Sequence, residues 1–396
     1  MPVSWVHPRG LAGLGVVNVL LRVVTLGVYN FWGKTEVRRR IWSAIRVAGQ
    51  PLVYTGTGSE LMRGFIAVFG LVFIPTMLIY LAAAFALGPI SPYLYVVQGI
   101  MTLAFFFLYG IGIYRSQRYR LSRTTWRGIR GGMEGSASRY ALRYFGSLLL
   151  MLPTFGWIAP WRANMLQRTL TQDMRFGSQP FAYDGGPGPL YKRFWVIWVI
   201  GIVLLGSVLL AIRSLFVASV VDIDPVTQAF PIAVYAKAGF IALIGWLTFA
   251  VASAWYRAGM MNHFARSTRI AGLSFSADVT ANDLIAVTIK NYLTALVGGV
   301  IGAAQLMASV LFAVDGLGVQ LPSGTTRAML LTQAAFFGLA LGAPLLAPVV
   351  QARTTAYIVG VLRMDGEIDP ALIAQSSAQS CGGGDGLAQA FDLDAF

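Results

Sequence analysis

Long apolar runs without charge dominate the pattern of this chain. From Gly64 to Tyr114 no residue is charged, a stretch of 51 residues. It breaks only at Gly88-Pro89-Ile90-Ser91-Pro92, a string that cannot continue a helix and suits a tight turn. About 20 apolar residues cross the hydrocarbon of a bilayer as a helix. The run therefore holds two spans, 64–87 and 93–113, and further spans are predicted at 194–216, 231–254, 287–314 and 328–350. A soluble fold has no place for so long an uncharged stretch. Six transmembrane helices are the expectation.

Two shorter segments do not fit that rule. Leu14–Phe31 contains Asn18 and Arg22, and Tyr144–Pro160 contains Pro153, Gly156 and Pro160. Both are predicted to re-enter the membrane or to lie in its interface, because irregular backbone at depth must be shielded by protein. Arginine placement sets the orientation. Dense clusters occupy Lys34–Arg46, Arg115–Arg143, Arg162–Arg193 and Arg257–Arg269, whereas the loops at 88–92, 217–230 and 315–326 are sparse in basic residues. The positive-inside rule places the clusters and the C-terminus in the cytoplasm. With six crossings this works only if Tyr144–Pro160 returns to the side it left. The opening, MPVSWVHPRG, leads to no small-residue cleavage site, so no secretory signal is expected.

Composition agrees. Apolar residues make up 56% of the 396 and charged ones 12%, about half the usual soluble share. The balance is basic, at +14, carried by 26 Arg and 4 Lys. A single Cys381 excludes a disulfide framework. The two histidines, His7 and His263, join no metal or nucleophile motif. No enzyme activity, metal or cofactor is expected. His263 between Arg257 and Arg266 is read as an interfacial polar residue.

The chain also repeats. Residues 15–65 align without a gap to 144–194, with 13 identities in 51 positions. These include Thr25 with Thr154, Gly27 with Gly156, Trp32 with Trp161, Arg39 with Arg168, and Arg46 with Arg175. Gln50-Pro51, Tyr54 and Gly56 match Gln179-Pro180, Tyr183 and Gly185. A weaker copy lies at an offset of 223, pairing Thr248, Trp255 and Arg269 with Thr25, Trp32 and Arg46, and a degenerate one ends the chain at 348–369. Each unit reads as a membrane segment, an Arg-rich helix, a short strand-like piece such as 51–55, and a capped transmembrane helix with Ser59 as its N-cap. The divisions are 1–143, 144–237, 238–370 and an acidic flexible tail at 371–396. The fold class is all-α and polytopic, with six spans, one or two re-entrant or interfacial segments and short cytoplasmic strand-like pieces.

Two strings, residues 26–65 and 114–137, resemble the YjgN-like family of bacterial inner-membrane proteins, a domain family of unknown function. The resemblance runs from about residue 10 to 370. It implies a multi-pass protein of the inner membrane and no catalytic or ligand residues.

Arginines carry the largest functional signal. Arg115, Arg118, Arg120, Arg123, Arg127 and Arg130 lie within 16 residues, interleaved with Tyr114, Tyr119 and Trp126. Guanidinium forks pair with phosphate, and the aromatics favour the headgroup layer. One reading is an orientation signal with attraction to anionic lipid. The sharper reading adds Arg39, Arg46, Arg168 and Arg175 to make an anion site, with backbone amides from Gly56-Thr57-Gly58. On that reading, replacing Arg46 and Arg175 together weakens anion binding. The leading expectation is a protein that binds or translocates an anionic lipid or phosphate-bearing solute. Its rival is a scaffold recruiting a protein partner through the basic face or the acidic tail. Nucleic acid is not an expected partner, since these arginines accompany no recognition module. Gly298/Gly302 and Gly338/Gly342 have GxxxG spacing and are expected to pack their helices closely, on each other or in a homo-oligomer.

Overall fold

The computed structural model of the chain describes residues 1–88, 90–221, 232–316, 318, 324–366 and 373. The acidic tail expected over 371–396, Ile373 apart, lies outside those residues with Cys381, Asp222 and Asp224.

Helical hairpins alternate with β-hairpins along the chain. Strand β1 (Val3–Trp5) and helices α1 (Leu11–Val24) and α2 (Asn30–Ala44) lead to strands β2 (Ile45–Val47), β3 (Gln50–Pro51) and β4 (Val53–Tyr54). Helices α3 (Gly58–Val68), α4 (Ile74–Leu87) and α5 (Tyr93–Ser122) precede β5 (Thr124–Trp126) and β6 (Ile129–Met133). Next come α6 (Ala137–Leu149), α7 (Ala159–Asp173), β7 (Met174–Phe176) and β8 (Gln179–Tyr183). They are followed by α8 (Gly188–Val221), α9 (Ile232–Arg266), β9 (Thr268–Ile270) and β10 (Leu273–Ala277). The last described elements are α10 (Ala281–Leu311), α11 (Gly324–Gly342), α12 (Ala347–Val361) and β11 (Leu362–Asp365).

These strands form one ring. β1 pairs antiparallel with β2, and β2 with β3. β3 and β4 are one run broken at Leu52, whose amide donates to the Ile45 carbonyl at 3.0 Å. From β4 to β11 the order of the ladder is the order of the chain, antiparallel at each step. The two edges then meet. The Met1 amino group donates to the Met364 carbonyl at 2.8 Å and to the Gly366 carbonyl at 3.1 Å. The two ends of the ring, β1 and β11, thus lie side by side and are joined through Met1 rather than by a strand ladder. Isolated two-stranded hairpins are marginal in water; the ladder from β4 to β11 gives the inner ones a paired neighbour on both edges.

Turn chemistry sets the hairpins. Ala48-Gly49, Arg127-Gly128 and Ala271-Gly272 all have positive φ, as the two-residue type I′ turn requires. Gly177-Ser178 has Gly177 alone at positive φ, the type II′ pattern. The sequence pattern predicts only short strand-like pieces in these stretches; the turns double them into hairpins. After three of the hairpins a hydroxyl caps the outgoing helix: Thr57 accepts from the Glu60 amide, Ser136 from Arg139 and Thr280 from Asp283. The N-cap of the first is therefore Thr57, not Ser59; Ser59 already sits one residue inside the helix.

Six helical stretches are long and apolar enough to cross a membrane: Gly58–Leu87, Tyr93–Ser122, Gly188–Arg213, Gly239–Arg266, Ala281–Gly316 and Gly324–Val361. They match the predicted spans. The two shorter segments turn back. α1 has 14 residues and α6 has 13, about 20 Å at 1.5 Å per residue, against about 30 Å of hydrocarbon. Both ends of each segment connect to strands of the same ring, so the chain returns to the side it left. Their tips are copies, bond for bond. Thr25 Oγ1 donates to the Leu21 carbonyl at 2.6 Å, and Thr154 Oγ1 to Leu150 at 2.7 Å. Leu26-Gly27 and Phe155-Gly156 have positive φ. The Gly27 amide reaches the Arg22 carbonyl at 2.7 Å, and the Gly156 amide reaches Met151 at 2.8 Å, a left-handed helix termination.

Packing follows the ring. Neighbouring helical hairpins touch in cyclic order, α2 with α3, α5 with α6, α7 with α8, α9 with α10, and α12 with α1. Buried clusters lie at the ring-side ends of the helices: Ile113, Tyr114, Met133, Tyr140, Leu166 and Leu170 form one, and Phe31, Tyr54, Leu61 and Tyr119 another. Mid-span residues such as Leu71 and Phe85 face outward, as lipid-facing side chains do. α10 and α11 approach most closely. A Cβ on Gly298 would stand 2.7 Å from the Gly342 carbonyl, and one on Gly302 would collide with the Gly338 carbonyl. We predict that Gly302→Leu lowers stability by about 2 kcal/mol or more, measured as thermal unfolding in detergent. Gly206→Leu, which faces open space, should leave the transition unchanged.

Candidate functional site

The arginines singled out in the sequence do not gather at one place. Arg39 Nη2 donates to the Gly56 carbonyl at 3.0 Å, and Arg118 Nη2 to the Gly135 carbonyl at 2.7 Å. Each residue lies 17 positions before its partner and ties a ring-side helix to the end of its β-hairpin. Arg168 is in register with them but exposed, and Asn164 donates to the Gly185 carbonyl instead, at 3.1 Å. Asn164 also accepts from the Tyr183 hydroxyl at 2.7 Å, and burial pushes the Tyr183 phenol up to about 12. In a further copy, Asn262 donates to the Val279 carbonyl at 2.9 Å, again 17 positions on.

Others in the 115–130 cluster are also held. Arg123 bridges to Glu60 at 2.8 Å, and Arg120 donates to Gln117 at 2.7 Å. Arg127 stacks on Trp126 at 4.8 Å. Arg115 is half-buried on α5. The Gly56-Thr57-Gly58 turn is no anion cradle either. Gly56 gives its carbonyl to Arg39, Trp32 packs within 2.7 Å of where a Gly58 Cβ would be, and the Glu60 carboxylate occupies the helix start with Tyr119 and Arg123.

Arg130, Arg175, Arg269 and Arg363 share one face of the β ladder, opposite Thr125, Gly132, Ala182 and Ser276 respectively. Arg46 holds the matching place on β2, opposite Ser4. A carboxylate at the end of the preceding hairpin meets three of these arginines: Glu134 with Arg175 at 2.6 Å, Asp184 with Arg269 at 3.6 Å, and Asp278 with Arg363 at 3.2 Å. Before Arg46 the matching residue is Val6, so no acid faces it. Exposed pairs of this kind contribute about 1 kcal/mol at most, yet they cancel charge. Arg46 and Arg175 stand four ladder steps apart, about 19 Å at 4.8 Å per step. They do not form one site, because the repeat that relates them is rotational around the ring and carries equivalent residues apart.

A different set of cations does converge. A cleft of about 260 Å³ opens between the α1–α2 hairpin and the start of α12. Asn18 and Arg22 line it from α1, Asn30, Lys34 and Arg38 from α2, and Gln351 from α12. The remaining wall is apolar: Val19, Val37, Pro344, Ala347 and Pro348. Asn30, Lys34 and Arg38 recur every four residues and so form one stripe of α2. Gly15, Asn18 and Arg22 form the facing stripe of α1. Gly15 and Gly33 allow the approach: a Cβ on Gly15 would collide with the Leu345 carbonyl, and one on Gly33 would stand 3.0 Å from Asn18 Cγ.

Among the described residues the cleft is lined by three cations and no acid. Arg22 Nη2 donates to Asn30 Oδ1 at 2.6 Å, but its Nε is buried without a partner. Asn18, 9% exposed, leaves its Oδ1 without one as well. Buried unpartnered polar atoms beside cations are costly unless a ligand or water meets them. The second re-entrant hairpin repeats the backbone but has Ser147, Met151, Ala159, Ala163 and Gln167 where the first has Asn18, Arg22, Asn30, Lys34 and Arg38. The fold therefore does not require these cations. Sequence reasoning missed them by counting arginines per segment; the four-residue spacing of 30, 34 and 38 was the available signal.

Another cavity of about 230 Å³, between α8 and α9, is lined by Arg193, Asn262, His263 and Arg266. Three of its polar groups are committed: Arg193 stacks over Trp255 at 5.1 Å, Asn262 is tied to Val279, and Arg266 faces Asp278 at 4.0 Å; the buried His263 Nε2 has no hydrogen-bond partner.

Six apolar helices raised from a closed β ring, with two re-entrant hairpins between them, define a multi-pass membrane protein. The chain belongs to DUF898, a family of bacterial proteins of unknown function whose model matches residues 8–390; the YjgN-like proteins fall within it. No curated protein and no solved structure matches it.

Arg118→Gln should lower stability by about 1–2 kcal/mol, since it leaves a half-buried carbonyl without its charged donor. Arg46→Gln, which removes no such contact, should unfold at the same temperature as the parent; differential scanning fluorimetry in detergent compares the two.

Proposed function

We propose that this protein binds a phosphate-bearing anion in the α1–α2 cleft, in the inner membrane of a bacterium, with the ring, its arginines and the C-terminus facing the cytoplasm. The observation that carries this reading is the convergence of Arg22, Lys34 and Arg38 with Asn18 and Asn30 in a cleft whose described lining holds no carboxylate, with the Arg22 Nε buried there without a partner. A buried donor on a cation is costly until an acceptor meets it, and an anion oxygen in the cleft supplies one. Guanidinium forks suit the paired oxygens of a phosphate group, and the Lys34 ammonium adds a point charge.

The reading is of a binding protein rather than an enzyme. The cleft offers donors and cations, but its lining contains no His, Cys, Asp or Glu to act as base, nucleophile or metal ligand. The scaffold alternative draws on the basic face or the acidic tail. The carboxylates beside Arg175, Arg269 and Arg363 reduce the charge of that face, and the tail, Ile373 apart, lies outside the described residues.

Inorganic phosphate is the simplest probe. Phosphate should raise the unfolding temperature of the purified protein, and Arg22→Gln with Arg38→Gln should remove that rise. The Arg46→Gln, Arg175→Gln double variant should keep it. Equal loss in both double variants would return the argument to general surface charge. For orientation, a fluorescent protein fused after Phe396 should fold and fluoresce, whereas a periplasm-dependent phosphatase at the same place should stay inactive.

A further inference from the structure

We infer that the anion is the headgroup of an amphiphile whose chains remain in the hydrocarbon beside the α1–α2 hairpin; this rests on the anion-binding reading of the cleft. Depth is the first reason. Asn30 and Arg38 lie eight residues apart on α2, about 12 Å along the axis. Arg38 is nearer the ring and Asn30 begins the helix at the tip. Arg22 sits within one turn of the same tip on α1 and donates to Asn30. The polar stripe thus runs from the membrane surface toward the middle of the bilayer, where the hairpin stops. A soluble phosphate ester gains what it needs at the rim, from Arg38 and Lys34. Only a ligand that itself resides in the membrane makes use of a cation at the tip.

Size and surroundings are the second reason. A cleft of about 260 Å³ lies below the usual range of small-molecule sites, about 300–1,000 Å³. It accommodates a phosphate with a small polar alcohol but not acyl chains. At its edge and tip the hairpin presents apolar side chains: Val23, one turn beyond the lining residue Val19, is 58% exposed, and Leu26 at the tip is 94% exposed. The cleft's own far wall is apolar too, through Val19, Val37, Pro344 and Pro348. A headgroup in the polar stripe therefore leaves its chains against a surface that already prefers hydrocarbon. Burying each methylene there is favourable by about 0.8 kcal/mol.

The test compares dioctanoyl phosphatidic acid with glycerol phosphate on the full-length protein in a non-ionic detergent, read by native mass spectrometry and by thermal shift. We expect one phosphatidic acid retained per chain, with glycerol phosphate at least ten-fold weaker. Arg22→Gln with Arg38→Gln should weaken both probes, and Arg22→Lys, which keeps the charge, should restore part of the binding. Val23→Asn with Leu26→Asn should weaken the lipid and spare glycerol phosphate. Equal affinity for the two probes overturns the amphiphile and leaves the anion cleft standing. Lipid retained unchanged in the Arg22/Arg38 variant, or neither probe bound by the parent, overturns the cleft itself.

Discussion

Hydrogen bonding around a closed β ring is the constraint on which the rest of this molecule depends. Its strands are two to five residues long, too short for any hairpin to hold alone. The ladder brings its two end strands together at Met1 and Met364–Gly366, and it places five pairs of helix ends at regular stations on one side. Everything that enters the membrane is raised from those stations. The buried core follows the same logic: Tyr114, Tyr119, Tyr140 and Leu61 are packed beside the ring, while the spans turn their apolar side chains outward.

Much of the membrane architecture was legible in the sequence, because a charge-free run of 51 residues admits one physical solution. The re-entrant segments were legible through parity and through their prolines and glycines. The β ring was not. Its strands are too short for an alternating pattern to rise above chance, and two of them, β1 and β11, come side by side only through folding. The unit at 115–136 was also hidden. It shares the Arg39–Gly56 clamp, as Arg118–Gly135, and the hydroxyl cap, as Ser136 for Thr57, but few other identities, so self-comparison passed over it.

The candidate site was harder to see because arginine does two kinds of work here. Where it recurs with the repeat it clamps a carbonyl or meets a carboxylate, as Arg39, Arg118 and Arg175 do. Where it breaks the repeat it serves no need of the fold. Arg22 faces Met151 in the other re-entrant hairpin's register, and Lys34 faces Ala163. Repetition therefore identified the structural arginines, and departure from repetition identifies the cations of the cleft.

The contact between β1 and β11 has a consequence for biogenesis. During synthesis β2 to β10 can pair in order as they emerge, each with a strand made shortly before. β1 finds β2 early, yet its other edge stays open until residues 362–365 leave the ribosome. The α1–α2 cleft is completed at the same moment, since its third wall is α12. The third wall of the cleft and the contact between the two ends of the ring are thus acquired together, once residues 347–365 have been made. Until then the nascent protein carries an open strand edge and an unfinished cationic groove at the membrane surface.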